Sequence, residues 1–378
     1  MSYQDIINEN RAWIDEVWEK LDNKLSRTAK KSRFKLPYTT VNGEHVAKSD
    51  NIAWWTNGFW GGLMWLMYDA TKNAEYKISA EQNETFLDEA FEDVTKLHHD
   101  VGFMWHLTST ANYRLTGSAK SKNRALIAAM TLSSRYNVDG NYIRAWNGEW
   151  NSDVSGWTII DCMMNIPLLY WASREIGDKR FTSIAKRHSD MSMRDHVRAD
   201  GSVNHIVVHD PDRADTVIET KGGQGYDVGS SWSRGCGWAL YGFVLSYIHT
   251  GEKKYLDTAI KVAEHFIAET EKTAWLPRVD FCQPETPVYY DSTAGAIAAC
   301  GLIEIAKNVE EKEKFLTPAI NILKAMEKEW CNWEESEDSI LQMGTEAYGW
   351  GHHMPIIYGD FFFTEAILKL KGSEFLIW

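Results

Sequence analysis

Two kinds of helical segment alternate along the chain. Some segments are apolar on nearly every side, and they are followed by a short turn and a helix with one apolar stripe. The clearest apolar segments are residues 162–171, 238–248, 294–305 and 361–370, and the clearest striped ones are residues 255–270 and 315–330. Because a helix that is apolar all round must be covered on all sides, we expect the first kind to lie inside the second.

Six turns mark a repeat of this pattern. Most of them contain Gly or Lys and end with an aromatic residue, and Gly at a helix end is a typical stop signal. The turns are residues 71–76, 116–120, 177–181, 250–255, 309–315 and 371–375. The repeat predicts an all-α fold, an (α/α)6 barrel of six inner and six outer helices, as a single domain over residues 1–378.

The N-terminal region is predicted to complete this ring. Residues 3–26 carry apolar side chains such as Trp13, Val17 and Leu21 at helical spacing, and this helix would partner the last inner helix. Residues 27–50 are basic and turn-rich and are predicted to form a loop. An open helical-repeat solenoid is the alternative fold, but its helices would be striped rather than apolar all round.

The barrel has a consequence for function. If the inner helices run in the same sense, their N-terminal ends meet at one mouth, where free backbone N–H groups favour an anionic ligand. We therefore expect the chemistry in the segments that precede the inner helices. These segments are residues 54–60, 98–105, 156–161, 230–238, 290–293 and 358–360.

Composition adds a candidate ligand. The chain has 18 tryptophans, and several stand beside polar residues, as in residues 53–60. Flat apolar rings next to polar groups suit a sugar, which has apolar C–H faces and a hydroxyl edge. A net charge of -13 argues against a nucleic-acid partner. A small saccharide is therefore the predicted partner.

Other features predict where the protein works and what it lacks. The five cysteines show no CxxC spacing, which favours reduced thiols. Neither a signal peptide nor a membrane-spanning run is evident, so we expect a cytoplasmic protein without membrane contact, a monomer or else a dimer. The histidines form no HExxH set, and His205 and His209 lie in a strand-like segment, so neither a metal nor a cofactor is predicted.

Asp100 stands between two histidines and an apolar helical run. An ionised Asp is rarely buried without a partner. Two interpretations are open from the residues alone. Asp100 either caps the following helix, since Asp is a favoured N-cap residue, or belongs to a catalytic site.

Asp161 lies in the most apolar helical segment of the chain. Burial would raise the pKa of such a carboxyl, which would suit it to deliver a proton near neutral pH, although a buried structural Asp held by a donor is the alternative. Together with Asp100 it forms a two-carboxylate pair of the kind that glycosidases use. Asp291 and Asp360 also stand at inner-helix starts, and we expect them mainly to cap helices or to bind mouth backbone.

A glycine-rich segment, residues 223–234, lacks the GxxxxGK[ST] pattern of a phosphate loop. We interpret it as a mobile polar flap over a sugar pocket. Arg234 could then offer a fork of donors to hydroxyls or a carboxylate, or could simply be a surface residue.

Taken in order, these segments resemble the unsaturated glucuronyl hydrolases, glycoside hydrolase family 88. The resemblance runs from about residue 50 to 370 and is specific as a set. The segments that carry it are WTNGFW (55–60), HHDVGF (98–103), IIDCMMNIPLL (159–169), WSRG (232–235), DSTAGA (291–296) and GDFF (359–362).

The resemblance implies an (α/α)6 fold and an unusual hydrolysis. Such enzymes remove the Δ4,5-unsaturated uronic acid that a lyase leaves at the non-reducing end of its product, by hydrating the vinyl ether double bond. Asp161 matches the general acid/base and Asp100 the second essential carboxylate. The positions that match the substrate pocket are Trp55, His99, Trp146, His205, Gln224, Trp232, Arg234 and Trp238.

Two positions depart from the family pattern. Asn57 stands where an Asp is expected, and Cys236 stands where a Gln is expected. Streptococcal relatives that prefer sulfated fragments carry a Ser/Ser/Lys cluster near the C-terminal mouth loop, which residues 344–353 lack. The resemblance therefore predicts hyaluronan- or chondroitin-type disaccharides as substrates, and it gives no basis for predicting sulfate recognition.

Three alternatives accompany this prediction. An unsaturated rhamnogalacturonyl hydrolase would share the fold and the chemistry but act on pectin fragments. A sugar epimerase on the same barrel would rely on paired histidines at the mouth rather than paired aspartates. A non-enzymatic helical-repeat module would give no reason for acids at the inner-helix starts.

Overall fold

The computed structural model describes residues 1–148 and 153–378. Helices dominate it. In chain order the α-helices are α1 (Tyr3–Glu9), α2 (Arg11–Lys31), α3 (Phe59–Thr71), α4 (Ala74–Leu87), α5 (Val101–Trp105), α6 (Ala111–Thr116), α7 (Ala119–Ser134), α8 (Pro167–Ile176), α9 (Lys179–Asp195), α10 (Ser233–Thr250), α11 (Lys253–Glu271), α12 (Ser292–Asn308), α13 (Lys312–Trp330) and α14 (Ile357–Lys371).

The helices form two concentric rings. The inner ring runs through α3, the α5–α6 segment, α8, α10, α12 and α14, and contacts between α14 and α3 close it. The outer ring consists of α4, α7, α9, α11, α13 and α2, with α2 packed against α14 and α4. The predicted (α/α)6 barrel is confirmed, as is the N-terminal helix that completes it. No helix in the part of the chain described is long and apolar enough to cross a membrane.

The predicted turns end the inner helices. Gly117, Gly177, Gly251 and Gly372 each follow an inner helix with positive φ, between 71° and 98°. Lys72 takes the same left-handed conformation after α3. Gly accepts this conformation without the steric penalty that other residues pay, so the sequence signal has a direct physical cause.

The predicted N-terminal helix over residues 3–26 is wrong in its bounds. The helix is interrupted at Asn10, whose side-chain amide donates to the Ile6 carbonyl at 2.7 Å and so ends α1. Helix α2 then continues to Lys31, because Ala29 is still buried against the barrel. The predicted loop over residues 27–50 therefore begins later than expected.

Short antiparallel sheets decorate the barrel. β1 (Thr39–Val41) pairs with β2 (Glu44–Val46), and β3 (Tyr136–Asn137) pairs with β4 (Tyr142–Ile143). In the third sheet β6 (Ile206–His209) lies between β5 (Trp157–Ile159) and β7 (Val217–Lys221) and pairs with both. The strand-like composition noted before His209 is confirmed by β6. The predicted apolar inner helix at residues 162–171 is wrong at its start, because a 3-10 turn, Ile160–Met164, precedes α8.

An aromatic layer lies inside the inner ring, at the C-terminal end of the chain. Trp378 is buried and stacks on Phe362 with ring centroids 5.8 Å apart. Its indole N–H donates to Glu365 at 3.2 Å, and Phe103 meets its edge at 6.1 Å. These aromatic contacts join α5 to α14 across the barrel.

Close packing of the inner ring predicts a sensitive glycine. A Cβ added to Gly242 on α10 would lie 2.5 Å from the Met163 Cβ and 2.9 Å from the Met163 carbonyl. Because backbone cannot move aside easily, we expect G242A to lower the free energy of unfolding by about 1–3 kcal/mol, despite the better helix propensity of Ala.

Denaturant unfolding of G242A would check this prediction. G349A is the matched control, because no heavy atom of the described residues lies within 4 Å of its added Cβ. An equal stability of the two variants would contradict the proposed close contact.

Candidate active site

Strand pairing brings Asp161 next to His205. β5 leads directly into the 3-10 turn that carries Asp161, and β6 begins just after His205. Ile159 pairs with Ile206, and the Ile160 N–H donates to the His205 carbonyl at 3.1 Å. As a result the His205 Nε2 lies 3.6 Å from the Asp161 Oδ1. Sequence separation alone could not predict this neighbour.

Asp100 does not cap the helix that follows it. It stands at the N-cap position of α5, but its side chain makes no capping bond to the described backbone. Its Oδ1 lies 3.1 Å from His99 Nε2, and its Oδ2 lies 3.3 Å from His98 Nδ1. The capping interpretation is therefore wrong, because the two histidines attract the carboxylate instead.

Asn165 joins the two acidic residues. Its Nδ2 donates to Asp100 Oδ1 at 3.1 Å and to the Asp161 carbonyl at 3.3 Å. Its Oδ1 accepts from the Phe103 N–H at 2.7 Å. A Cβ on Gly102 would lie 2.5 Å from the Asn165 Cα, so only glycine allows this approach. Sequence reasoning missed Asn165 as a functional residue, although a polar amide in so apolar a segment is a signal of a buried hydrogen-bonding role.

The two carboxyl groups have opposite pKa shifts. Burial raises the pKa of Asp161 to about 7, and the nearby Asp100 carboxylate adds to the rise against His99 and Arg234. Burial would also raise the pKa of Asp100, but His99, His98 and Asn165 together hold it below its usual value. Near neutral pH the first group therefore keeps a proton that the second has lost.

Aromatic rings surround this pair. Trp55 lies against Tyr358 and Phe103, with centroids 5.1 and 5.4 Å apart, and Trp238 meets Phe103 from the other side at 5.2 Å. Trp146 presents an edge contact to His99 at 5.8 Å. Of the predicted tryptophans, Trp55 and Trp238 therefore belong to one connected group of rings, Trp146 lies against His99, and Trp238 is fully buried among the inner helices.

Arg234 is a buried residue that binds the backbone of the mouth loop, residues 344–353. Its guanidinium donates to Asp291 and to the Thr345 carbonyl, each at 2.5 Å, and to the Glu346 carbonyl at 2.5 Å. It also lies over the Trp232 ring, 4.7 Å from the centroid. The interpretation as a surface residue is wrong, and much of its donor capacity holds the loop at residues 344–353.

Gln224 takes part in the same fastening. Its side-chain amide donates to the Glu346 backbone carbonyl at 2.6 Å, and its own backbone carbonyl accepts from the Tyr348 N–H at 2.9 Å. The Glu346 carboxylate turns outward and binds Tyr38 Oη and Lys48 Nζ. The Glu346 carboxylate of the mouth loop is therefore paired with side chains of the N-terminal region.

The glycine-rich segment at residues 223–234 has a buried anchor that sequence reasoning missed. The Asp280 carboxylate accepts from Tyr226 N–H at 2.9 Å, Ser230 Oγ at 2.6 Å and Ser231 N–H at 3.1 Å. It also accepts from the Cys282 N–H at 2.9 Å. The segment is thus tied down at several points, which the expectation of a mobile flap did not anticipate.

The two other aspartates at inner-helix starts, Asp291 and Asp360, bind backbone N–H groups as predicted. Asp291 caps α12 by accepting from the Thr293 N–H at 3.1 Å, in addition to binding Arg234. Asp360 accepts from the Ile340 and Leu341 N–H groups at 3.0 and 2.7 Å. Both therefore shape the mouth through its backbone.

The two departures from the family pattern have local roles. Asn57 donates its amide to the Asn51 and Ile52 carbonyls at 3.2 and 3.0 Å, a task that an ionised Asp could not perform. Cys236 is buried on α10 beside Ser231, with 3.7 Å between its Sγ and the serine oxygen. Asn57 therefore supports backbone, whereas Cys236 contacts a side chain.

Among the described residues, His98, His99 and Asp100 form a cluster of potential metal ligands, whose ligand atoms all lie within 4.8 Å of one another. Nitrogen and carboxylate ligands of this kind can hold a transition metal. The same atoms also lie at hydrogen-bond distance from one another, 3.1 Å between Asp100 and His99 and 3.3 Å between Asp100 and His98.

Known proteins resemble this chain in both sequence and fold. The chain is 32% identical over 367 residues to the unsaturated glucuronyl hydrolase of Bacillus sp. (strain GL1), covering 93% of this chain and 95% of that protein. The chain belongs to the unsaturated glucuronyl hydrolase family. It is therefore a glycoside hydrolase, and family membership favours this function over the epimerase and the helical-repeat module.

Two further family relatives extend the comparison. The unsaturated chondroitin disaccharide hydrolase of Streptococcus pyogenes serotype M1 is 32% identical, covering 90% of this chain and 86% of that protein. A solved unsaturated glucuronyl hydrolase with the saccharide dGlcA-Glc-Rha-Glc superimposes with a TM-score of 0.87 at 31% identity, covering 94% and 97% of the two chains. No family model matches the sequence.

The raised pKa of Asp161 predicts a pH-dependent stability. The carboxyl has a pKa of about 7 in the folded chain against 3.8 ordinarily, so its favourable contribution is complete below about pH 4 and is lost as the pH rises through about 7. An amide cannot ionise, so we expect D161N to gain stability relative to the natural chain across this range, by about 1.4 kcal/mol per unit of pKa difference.

Thermal unfolding of both proteins between about pH 4 and pH 8 would measure this difference. The comparison cancels Asp360, whose pKa burial also raises to about 7. A stability difference that stays constant with pH would contradict a buried, proton-bearing Asp161.

Proposed function

We propose that the chain removes the Δ4,5-unsaturated uronic acid from the non-reducing end of lyase-generated hyaluronan- or chondroitin-type disaccharides. The observation that carries this proposal is the pair of acids joined by Asn165, one with a raised pKa and the other with a lowered pKa. The names of the relatives, which act on unsaturated glucuronyl and chondroitin substrates, support the substrate class.

In this proposal Asp161 performs both proton transfers. Its carboxylic acid gives a proton to C4 of the vinyl ether, and positive charge develops at C5 and the ring oxygen. Water then adds at C5 while the Asp161 carboxylate takes one of its protons, so the acid is restored. The resulting hemiketal opens, and the rest of the saccharide leaves with the keto-uronic acid as the other product.

Asp100 assists by staying ionised beside the acid. Its negative charge raises the pKa of Asp161 and would stabilise the cationic character at C5. The histidines and Asn165 keep the Asp100 charge in place, so it does not compete for the proton. This division of roles is the usual result when environment separates two carboxyl pKa values.

The other site residues would bind the sugar. Trp55 and Trp146, which are only partly buried, offer flat faces for its C–H groups. The buried indole N–H groups of Trp232 and Trp238 have no hydrogen-bond partner within the described ranges, as expected of groups that a ligand satisfies. We propose that these side chains hold the unsaturated ring against Asp161.

We also propose a reducing, cytoplasmic environment. Throughout the described part of the chain the cysteines are unpaired, and free buried thiols are typical of proteins from such compartments. The cysteines are Cys162, Cys236, Cys282, Cys300 and Cys331.

Substrate choice separates the proposal from its nearest rival. We expect the natural chain to consume unsaturated hyaluronan and chondroitin disaccharides faster than unsaturated rhamnogalacturonan disaccharides. Loss of the ultraviolet absorbance of the conjugated double bond would follow each reaction. Preferential turnover of the pectin-derived disaccharide would replace the proposal with the rhamnogalacturonyl reaction.

Replacing the proposed acid gives a second prediction. We expect D161N to lower kcat by at least ~10²-fold, the usual contribution of a general acid/base, while folding stays intact. In the natural chain kcat should fall as the pH rises past about 7, because the acid then loses its proton. D291N serves as a comparison that perturbs the mouth but leaves Asp161 in place, and full activity of D161N would refute the assignment.

A further inference from the structure

The His205 ring is held in one tautomer. Its Nδ1 lies 2.9 Å from the Gln224 backbone nitrogen, which donates its N–H to the ring. A backbone N–H can only donate, so Nδ1 must be the nitrogen without a proton. A neutral imidazole in this position therefore carries its proton on Nε2.

The ring is also held neutral. Burial lowers the pKa of His205 well below its usual value, and the Arg234 charge lowers it further. A neutral ring keeps the Nδ1 lone pair for Gln224 and the Nε2 proton for another acceptor.

The acceptor that faces Nε2 is the catalytic acid. Asp161 Oδ1 lies 3.6 Å away, and neither atom has a hydrogen-bond partner among the residues described. Hydrogen bonds of catalytic groups are often long before substrate binds and tighten in the complex. Closing this gap would satisfy both atoms at once.

The surrounding loop prevents the ring from turning over. Gly223 has φ of +59°, and a Cβ there would lie 2.1 Å from His205 Nδ1. Trp232 packs on the ring with centroids 4.0 Å apart. Asp280 ties down the segment that carries Gln224, through Tyr226 and Ser230. Residues far from the chemistry thus determine which nitrogen bears the proton.

We propose that His205 is a positioning residue that donates its Nε2–H to Oδ1 of Asp161, so that the acid carries its own proton on Oδ2 and presents it to the saccharide. This inference rests on the proposed function, since it concerns the acid of that reaction. After Asp161 gives its proton to C4, the same N–H stabilises the carboxylate until water returns a proton to Oδ2.

Two variants of matched chemistry test the inference. In H205Q the side-chain amide can reach the position of Nε2, whereas the shorter amide of H205N reaches only that of Nδ1. We expect kcat of H205N to fall about tenfold or more below that of H205Q, the effect of one lost hydrogen bond to a charged group. KM alone would rise in both variants if His205 only bound the sugar.

The pH profile of kcat gives a readout that a purely structural role would not move. The titratable and charged groups facing Asp161 are Asp100 and His99 before α5 and Arg234 on α10, and all stay unchanged in these variants. Loss of a donor to the carboxylate raises the pKa of Asp161, so the basic limb should move to higher pH in H205N and keep its place in H205Q. Coincident limbs in the natural chain and both variants would overturn the inference.

A measurement on the natural chain covers the case in which the variants fail to fold. Nitrogen-15 NMR of the histidine side chains should show His205 with a proton on Nε2 only, through near-neutral pH. A proton on Nδ1 would overturn the inference. Absence of turnover of any unsaturated disaccharide by the natural chain would instead count against the proposed function, while the tautomer result would stand.

Discussion

The Asn165 amide is the interaction on which the site depends. One nitrogen donates both to the Asp100 carboxylate and to the backbone of Asp161, so the inner-ring segments that carry the two acids cannot separate. The same amide helps to keep Asp100 ionised, which in turn favours a proton on Asp161. A neutral side chain thus links two acids of the same chemical type and contributes to their different protonation.

Around this centre the barrel and its loops have separate tasks. The inner helices bring their N-terminal ends to one mouth, and the short β5–β6 pairing adds His205, which no helix could place there. Arg234 and Asp280 then attach the mouth segments to the barrel through buried charge. Arg234, Gln224 and Asp280 therefore direct side-chain hydrogen bonds to protein backbone at the mouth.

The sequence predicts the barrel well because its signals are local. A helix apolar on every side must be covered, and a glycine after a helix end marks a left-handed turn, so ring and turns follow from short segments. The start of α2 was missed because a single amide, Asn10, ends α1 by bonding to its own last turn. The roles of Asn165, Asp280 and the His205 tautomer depend on contacts between residues distant in the chain, which no local pattern records. For the same reason Arg234 could not be recognised as a clamp on the mouth loop.

The aromatic layer at Trp378 has a bearing on how a polymer could be attacked. Phe103 touches both Trp55 on the mouth side and Trp378 on the opposite side, in tilted and edge contacts, so aromatic rings lie in the interior beneath the acids. Among the described residues these rings form a floor to the site. Under the proposed function, such a floor suits a site that receives the end of a saccharide chain and trims it, rather than one that cuts a chain in the middle.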